Sequence, residues 1–503
     1  MASMIVLLVG TSLAAFLVTR LLQGIYNLTA HPLAQFPGPR IAAASEWYKT
    51  WQEVFLSRSW IDVLYELHDK YGEVVRVGPN ELHFSNPSAF TDIYNNSNRW
   101  DKEGKLYRCF GEDRSSFGYL TYREAKQRKD VMAPLFSKRA TIDLQDLVHK
   151  NLDRLCKALA ARDAAGKSSD MIFGLRCFTL DTITQFCFAK DVEATSAPDF
   201  QAPIVVAMDA SLAPFVVFRN FELVRKIVFS LPGWFTKMTT PPMAGLVDLQ
   251  EMLGAQVKEV VRNPSSLDNA PHAIVYHRLL DPELNQATGV PVPGSLYEEA
   301  QGLLFGGADS AANTLAAGTL QLLSNPSQYK RLKDEIIAAW PSLHTFPKWE
   351  ELEKLPYLTA VIQESLRTAP GVPGPLLRVV PPSGARIGNA TVPGGTTVGM
   401  TTLFVHRSSE IFTKPNDFDP ERWLGADSYK LEKWIVAFSK GPRSCLGQNL
   451  AMCELYLGFA HLFRRFDLRL EGTRGPEMPW KEAFLPFFAP DKHLRLYCKP
   501  VEQ

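Results

Sequence analysis

The loop FSKGPRSCLG, at positions 438–447, contains the residues with the clearest potential for chemistry. Cys445 lies just before 448–462, an apolar stretch rich in helix formers, so the sequence places its sulfur at a helix N-terminus. Backbone N–H groups and the helix dipole stabilise a thiolate there, which is the form of cysteine that binds metals or attacks as a nucleophile. Gly441 and Gly447 remove side chains beside the sulfur, which would let a flat molecule approach closely. Taken alone, the same pattern also fits a buried free cysteine in a loop.

The remaining cysteines indicate no competing chemistry. Seven cysteines form an odd set without a CxxC pair, which argues against a disulfide framework and against a structural zinc site. We expect most of them to be buried thiols in a reducing compartment. The six besides Cys445 are Cys109, Cys156, Cys177, Cys187, Cys453 and Cys498.

A carboxyl group and a hydroxyl group stand side by side at Asp309 and Ser310, in the middle of an apolar segment. Such a pair can relay protons, because the acid is ionisable and the alcohol both donates and accepts. Gly306 and Gly307 precede the pair, and each costs a helix about 1 kcal/mol relative to alanine, so glycine must have a compensating use here. The alternative is that the pair merely softens a helix with a water-filled bend.

The helix that positions this pair is predicted to cover 295–325. Ser295 and Glu298 fit a capping box, and Asn325-Pro326 ends the apolar pattern. About thirty residues would span roughly 45 Å. A helix that long and that apolar must run through the middle of the molecule.

Together these motifs resemble those of the cytochrome P450 family. Phe-x-x-Gly-x-Arg-x-Cys-x-Gly, here 438–447, is that family's haem-binding loop. The resemblance implies a mainly α fold with small β-sheets (α+β), in which a long central helix lies over the haem and a transmembrane helix precedes the catalytic body. The other matching motifs, in the family's order, are FPGP at 36–39, GGADS at 306–310, ESLR at 364–367 and PERW at 420–423.

By this resemblance Cys445 is the axial thiolate ligand of the iron in haem b (iron protoporphyrin IX). Arg443 would bond one haem propionate, and Arg378 would meet the other with its fork-shaped cation. In 122–137 the family's usual arginine falls at Lys129, beside Arg128, and its usual Trp or His falls at Ala125, which cannot hydrogen-bond through its side chain. The implied cofactor-binding residues are Cys445, Arg443, Arg378, Lys129, Arg128, Gly307 and Phe438.

The resemblance makes Asp309 and Ser310 the catalytic residues, relaying protons during dioxygen activation, while the preceding small residues leave room for oxygen. Threonine is usual where Ser310 stands. Serine lacks the methyl group that restricts the threonine rotamer, so we expect a less firmly oriented relay and more uncoupled peroxide. The family's Glu-x-x-Arg pair and a downstream arginine also imply a buried structural network beneath the haem loop, consisting of Glu364, Arg367 and Arg422.

The implied activity is that of a haem-thiolate monooxygenase (EC 1.14 type) that oxidises a lipophilic small molecule, of terpenoid or polyketide type, in fungal secondary metabolite biosynthesis. The sequence has no nucleotide loop or flavin motif, so NADPH would act indirectly through NADPH-cytochrome P450 reductase, with cytochrome b5 as a further partner. Two alternatives stay open: a haem-thiolate isomerase, dehydratase or peroxygenase, and, more remotely, a non-catalytic haem-binding membrane protein. Substrate-lining segments are expected at about 102–120, 200–245, 303–314, 371–376 and 485–488.

The apolar segment 4–22 has Arg20 as its only charge and is long enough to cross a bilayer as a helix. No basic residue precedes it and no small-x-small pattern follows, so a single-pass anchor is favoured over a cleaved signal peptide. The prolines within 31–40 predict a stiff elbow. We therefore expect an anchor at 1–22, a proline-rich linker at 23–40 and a catalytic domain at 41–503, which faces the cytosol from the endoplasmic reticulum membrane.

Several further elements follow from local patterns. Segments 73–77 and 81–85 predict a hairpin, and 387–392 with 396–400 predict a second strand pair around Pro393-Gly394-Gly395. An amphipathic helix is predicted for 143–162. The net charge of +1 and the scattered basic residues argue against a nucleic-acid partner.

Overall fold

The computed structural model describes residues 2–472, 475 and 478–501. Helices make up most of the molecule and short strands form small sheets beside them, as expected. The helices are α1 (Ala2–Thr29), α2 (Arg40–Ala44), α3 (Trp47–Thr50), α4 (Trp60–Tyr71), α5 (Pro87–Ile93), α6 (Gly104–Arg108), α7 (Tyr122–Met132), α8 (Lys138–Asp143), α9 (Gln145–Ala164), α10 (Met171–Phe188), α11 (Pro203–Asn220), α12 (Glu222–Ser230), α13 (Gly233–Thr239), α14 (Ala244–Arg262), α15 (Val275–Leu279), α16 (Pro293–Ala308), α17 (Ser310–Ser324), α18 (Pro326–Ala339), α19 (Trp349–Leu352), α20 (Pro356–Thr368), α21 (Thr402–His406), α22 (Tyr429–Glu432) and α23 (Gln448–Arg465). The strands are β1 (Val74–Gly78), β2 (Glu81–Phe84), β3 (Asp101–Lys102), β4 (Ser169–Asp170), β5 (Arg378–Val379), β6 (Ala385–Ile387), β7 (Ala390–Val392), β8 (Thr397–Gly399), β9 (Phe466–Leu470), β10 (Trp480–Ala483), β11 (Leu485–Phe488) and β12 (Arg495–Pro500).

The largest sheet has the strand order β1-β2-β8-β5-β3. Its edge pair matters for function, because β3 and β5 are antiparallel and place Lys102 opposite Arg378. A second sheet has the order β4-β12-β9, and β10 with β11 and β6 with β7 form hairpins. The sheets therefore join segments that are far apart in the sequence.

The predicted hairpin at 73–85 is confirmed as β1 and β2. The prediction of the second strand pair was wrong about its turn. Strand β7 pairs with the preceding strand β6 across a turn at Gly388, whose φ is +54°. The strand after Pro393-Gly394-Gly395, β8, pairs instead with β2 and β5. Both edges of β8 find partners in the larger sheet, and local turn chemistry could not reveal them.

The helical core is built around α10, in which every residue is buried. It packs against α9, α16 and α17, so it lacks the polar face that a surface helix would need. The predicted amphipathic helix at 143–162 is observed as α9, and its buried stripe consists of Val148, Leu152, Leu155 and Leu159.

The long central helix is interrupted, contrary to the prediction of one helix over 295–325. It starts at Pro293 with Val292 as its N-cap and breaks at Asp309, which has φ −109° and ψ −44°. The capping box does not form, because the Ser295 hydroxyl donates to the main-chain carbonyl oxygen of Arg114 and Glu298 accepts from the Arg114 side chain. At the break, the Thr179 hydroxyl donates to the Ala308 carbonyl oxygen at 2.5 Å. This acceptor is therefore satisfied from α10 rather than within the central helix.

Helix α1 extends beyond the predicted anchor to Thr29. Its segment Leu7–Thr29 has a mean hydropathy of 1.5 and is largely exposed, although Asn27 near its end is buried, whereas the most apolar part of the other long apolar segment, Pro198–Asn220, is 44% buried. The elbow that follows is tight, since a Cβ on Gly38 would lie 2.2 Å from the Arg76 carbonyl oxygen. The Arg76 N–H also donates to the Pro37 carbonyl at 2.7 Å, which ties the elbow to β1.

Candidate active site

An internal cavity of about 350 Å³ lies between the central helices α16 and α17 and the loop that precedes α23. Gly306, Gly307 and Ser310 line it from the central helices. The structure thus brings together the two motifs that the sequence singled out for chemistry. The lining residues of the opposite loop are Ala437, Phe438, Ser439, Pro442, Arg443, Ser444, Cys445, Leu446 and Gly447.

The Cys445 side chain is surrounded by protein but is accessible from this cavity, whereas the other six cysteines are buried. Its N–H donates to the Phe438 carbonyl oxygen at 2.9 Å, which closes the loop, and α23 begins at Gln448 as predicted. Burial raises the pKa of the Cys445 thiol, while the Gly447 N–H and the ammonium of Lys129 act in the opposite direction. A bound metal cation would complete that stabilisation, because a coordinated thiol is deprotonated.

The two glycines of the cysteine loop, Gly441 and Gly447, serve different structural purposes. A Cβ on Gly447 would meet nothing within 4 Å, and Gly447 lines the cavity, so the predicted clearance for a flat molecule fits this position. Gly441 has φ +76°, and a Cβ there would lie 2.6 Å from the Asn95 carbonyl oxygen. Gly441 therefore serves the turn and the close approach of Asn95 rather than clearance beside the sulfur.

Two cations, Lys102 and Arg443, line one edge of the cavity, and the buried Arg378 lies close to both. Arg443 donates to the carbonyl oxygens of Tyr119 at 3.0 Å and Leu120 at 2.8 Å, and its buried Nε has no hydrogen-bond partner among the described residues. Burial and then repulsion from Arg378 lower the pKa of Arg443 to about 10. Burial and the two arginines also hold the pKa of Lys102 well below its usual range.

Such a cluster is stable when anionic groups sit among the cations, because unpaired buried charges are costly. The two propionates of haem b are carboxylates that would meet this need, and Cys445 would supply the iron ligand in the same cavity. The residues present therefore fit haem b.

The structure separates the two basic residues of α7. Lys129 lines the cavity and donates to the Ser444 carbonyl oxygen at 2.5 Å, so it holds the cysteine loop from below. Arg128 is buried against Glu299, with an Nη1–Oε2 distance of 3.2 Å, and donates to Ser295 Oγ at 3.0 Å. Of this predicted pair, Lys129 lies at the cofactor cavity and Arg128 joins α7 to α16.

Asp309 and Ser310 also point to different places. Ser310 lines the cavity, whereas the buried Asp309 pairs with Arg176, with an Nε–Oδ1 distance of 2.7 Å. Arg176 bridges to Asp209 at 2.6 Å as well, so one guanidinium holds two carboxylates. Burial raises the pKa of Asp309, with Arg176 opposing that rise and Asp209 adding to it.

The paired glycines of α16 divide two tasks. A Cβ on Gly306 would enter open space, and Gly306 lines the cavity. A Cβ on Gly307 would lie 2.5 Å from Cγ1 of Ile183, so Gly307 allows α16 to pack closely on α10. Open space in the cavity is therefore provided chiefly by Gly306. Gly307, which the resemblance gave as a cofactor-binding residue, serves mainly the packing of α16 on α10.

The buried network around Glu364 is present as predicted. Arg367 donates to both oxygens of Glu364, at 2.8 and 2.7 Å, and Arg422 donates at 3.1 Å. Trp423 Nε1 and the Asp419 N–H add two more donors at 3.0 and 2.8 Å. One carboxylate thus accepts five hydrogen bonds and ties α20 to the segment 419–423.

Three residues that the structure brings to this region were not singled out from the sequence: Arg176, and Lys102 and Glu112, which lie within the expected substrate-lining segment 102–120. Arg176 left a signal, because it is one of only two charged residues in the apolar segment that forms α10. Lys102 carries no local signal of its own, because its neighbours Arg378 and Arg443 are remote in the sequence. Glu112 lies in a loop, where an acidic residue is ordinary.

Each expected substrate-lining segment contributes to the cavity wall, which is mostly apolar. Part of 200–245 lies elsewhere, since Leu223, Ile227 and Trp234 are exposed on α12 and α13. Representative lining residues of the five segments are Phe117, Phe215, Leu303, Val372 and Leu485.

Comparison with known proteins agrees with this geometry. The family model for cytochrome P450 matches residues 47–493. The chain is 33% identical to cytochrome P450 monooxygenase flvC of Aspergillus flavus, over 98% of this chain and 97% of that protein. It is 30% identical to cytochrome P450 monooxygenase macH of Penicillium terrestre, over 94% of each chain. The crystal structure of the cytochrome P450DA haem domain shares the fold, with a TM-score of 0.70 at 15% identity, over 90% of this chain and 95% of that one.

Proposed function

The chain belongs to the cytochrome P450 family and is a haem-thiolate monooxygenase, and we propose that it oxidises a lipophilic product of fungal secondary metabolism with electrons from NADPH-cytochrome P450 reductase. The observation that carries the proposal is the cavity in which Cys445 faces the Gly306–Ser310 segment across open space, with uncompensated cations at its edge. When bound there, haem would supply dioxygen activation and the transfer of one oxygen atom to substrate.

Cys445 would be the iron ligand and Arg443 would bond one propionate through its unpartnered Nε. Arg378 would bind the other propionate. Its guanidinium is held in place by donating to Tyr107 Oη at 2.8 Å, and its position opposite Lys102 in the β3–β5 pair puts it close to the cavity edge. Lys129 would hold the loop rather than replace a propionate ligand, because its ammonium is engaged by the Ser444 carbonyl. Phe438 supports the same loop by accepting the Cys445 N–H.

Protons would reach the cavity through Asp309 and then Ser310. The Ser310 hydroxyl can both accept and donate, and it already lies on the cavity wall. Asp309 is held away from the cavity by Arg176, so it must leave that pair, at least transiently, to pass a proton toward Ser310. The break in the central helix at Asp309 provides the local backbone freedom for such a movement.

The anchor and partners are inferred from the surface. Helix α1 is apolar along the largely exposed segment Leu7–Thr29, which suits a single-pass anchor in the endoplasmic reticulum membrane. The exposed apolar side chains of α12 and α13 would lie against the same membrane. Lys433 is exposed on the cysteine side, where an acidic reductase, or cytochrome b5, would dock.

A reconstituted assay tests the proposal. The purified full-length protein should give the red-shifted thiolate band in a reduced carbon monoxide difference spectrum, and NADPH consumption should require reductase and oxygen. Absence of the band in folded protein would overturn the haem-thiolate assignment. Turnover that continues without NADPH and oxygen would instead favour the isomerase, dehydratase or peroxygenase alternative.

A further inference from the structure

Glu112 is an acidic residue on the wall of an otherwise largely apolar cavity. Its side chain is buried, at 3% exposure. Oε1 accepts one hydrogen bond, from Gln301 Nε2 at 3.2 Å, and no described residue forms an ion pair with either oxygen. The catalytic scheme above makes no use of this carboxyl group.

The acidic neighbours of Glu112 are already paired. Glu298 accepts from Arg114 Nε at 2.8 Å. Glu299 pairs with Arg128 and accepts from the Ser116 hydroxyl at 2.6 Å. The nearby arginines are therefore occupied, and Lys102 attracts Glu112 electrostatically without pairing with it, so the Glu112 carboxyl group has no ion-pair partner among the described residues.

The ammonium group of Lys102 is occupied as well. It donates to the Phe117 carbonyl oxygen and lies 4.0 Å from the ring centroid of Tyr107 and 4.3 Å from that of Phe117. These contacts engage the ammonium group, which attracts Glu112 electrostatically but forms no ion pair with it. They also show that the rings here accept a cation.

The Glu112 carboxyl group is held in a defined position. Gln301 donates to it while its own Oε1 accepts from Tyr297 Oη at 3.0 Å and from Gln250 Nε2 at 3.1 Å, so the amide orientation is determined. A Cβ on Gly302 would lie 2.9 Å from Oε2, so the carboxyl group occupies the space that this glycine leaves on α16. Burial raises the pKa of Glu112 to about 8, with Glu299 and Glu298 adding to the rise and the Gln301 hydrogen bond and the Lys102 ammonium opposing it.

Four phenylalanine rings form one cluster on the same cavity wall. Phe110 is the centre of the cluster, with ring centroids 5.6 Å from Phe117, 4.8 Å from Phe215 and 4.7 Å from Phe484. Phe110 and Glu112 are close in the chain, and all four rings line the cavity. Aromatic faces and a carboxylate are the two groups that bind an organic ammonium ion.

We propose that Glu112 and the Phe110 ring cluster bind a positively charged nitrogen carried by an otherwise lipophilic substrate. This inference rests on the proposed monooxygenase function and names the substrate class of its cavity. A cationic nitrogen would give the carboxyl group the partner that the protein does not supply, while the rest of the substrate contacts apolar walls. A neutral terpenoid or polyketide scaffold would leave that carboxyl group buried and unused.

A matched pair of probes tests the proposal on the haem-loaded full-length protein. Trimethyl(3-phenylpropyl)ammonium and its uncharged carbon isostere, (4,4-dimethylpentyl)benzene, have nearly the same shape, and neither can ligate iron. Their dissociation constants are measured from the change in the haem Soret band at about pH 9, where Glu112 is ionised because its pKa is about 8. The wild-type protein should bind the cation about tenfold more tightly than the isostere, as a charge-assisted contact implies.

Glu112→Gln should remove this preference and leave the affinity for the isostere within about twofold, because it keeps the side-chain shape and removes the charge. Asp113→Asn is the matched control: it removes an exposed charge one residue away and should keep the wild-type preference. Gly302→Ala is a second route, since its Cβ displaces Oε2 without changing any charge, and it should also weaken cation binding.

Failure of the proposed monooxygenase function can be distinguished from failure of the inference about Glu112. A protein without the thiolate band fails the proposed function itself. A protein with the band that binds the two probes equally, prefers the isostere or binds neither overturns only the inference about Glu112. An unchanged cation preference in both Glu112→Gln and Gly302→Ala overturns it too.

Discussion

Replacing Glu364 by glutamine removes the charge from the carboxylate that joins Arg367, Arg422 and Trp423. Glu364 and Arg367 have fully buried side chains, and the side chain of Arg422 is 7% exposed. The amide of glutamine presents one oxygen where the carboxylate presents two. Among the described residues the buried Arg367 guanidinium then has no counter-charge, and Arg422 keeps only the Asp419 carboxylate, at 4.0 Å.

The magnitude follows from the burial. Removing one partner of a buried ion pair costs about 3–5 kcal/mol, a large part of the roughly 5–15 kcal/mol that stabilises a folded protein. With 503 residues, an unfolding entropy near 2.1 cal/mol/K per residue converts this loss to about 3–5 °C in Tm. The melting shift is therefore modest, and the local effect on the segment beneath the cysteine loop is the more sensitive measure.

The assay compares haem content per folded protein, from the carbon monoxide spectrum, with Tm. Glu364→Gln, and more strongly Glu364→Ala, should lower haem incorporation and reduce Tm. Glu421→Gln is the control, because Glu421 pairs with Arg331 at the surface, both about half exposed, where a pair contributes about 0–1 kcal/mol. A Glu364→Gln protein with full haem content and unchanged Tm would refute this reasoning.

Three further predictions concern the cavity. Asp309→Asn should reduce turnover about 100-fold while keeping the thiolate band, as expected for a lost proton donor; Asp209→Asn, which removes the other carboxylate on Arg176, should cost far less, and equal losses would contradict the relay. Ser310→Thr should lower the peroxide formed per NADPH, because the added methyl restricts the rotamer, and an unchanged or higher peroxide yield would count against it. The pKa of Glu112 in the folded state, about 8, lies above its usual value, so the wild-type protein should lose stability relative to Glu112→Gln as pH rises from about 5 to 8 and no further above 8. Melting temperatures of the two proteins across this range test the sign, and a constant difference would contradict the raised pKa.

Much of the fold and site was accessible from sequence because the relevant signals are local. Cys445 with its flanking residues, the helix that follows it and the hairpin at 73–85 each depend on neighbouring residues. The interruption at Asp309 was missed because it depends on the Thr179 hydroxyl of another helix. The second hairpin was misplaced because β8 finds its partners in distant strands.

By itself, the sequence determined the reaction class, since Cys445, the small residues before Asp309 and the Glu364 network are recognised by type and spacing. The tertiary structure alone decided which side chains meet. It set Arg176 against Asp309, Lys102 beside Arg378, and Glu112 without a counter-charge on the cavity wall. The physical reason is that charge compensation depends on distances between elements that are remote in the chain, and no spacing within one segment records those distances.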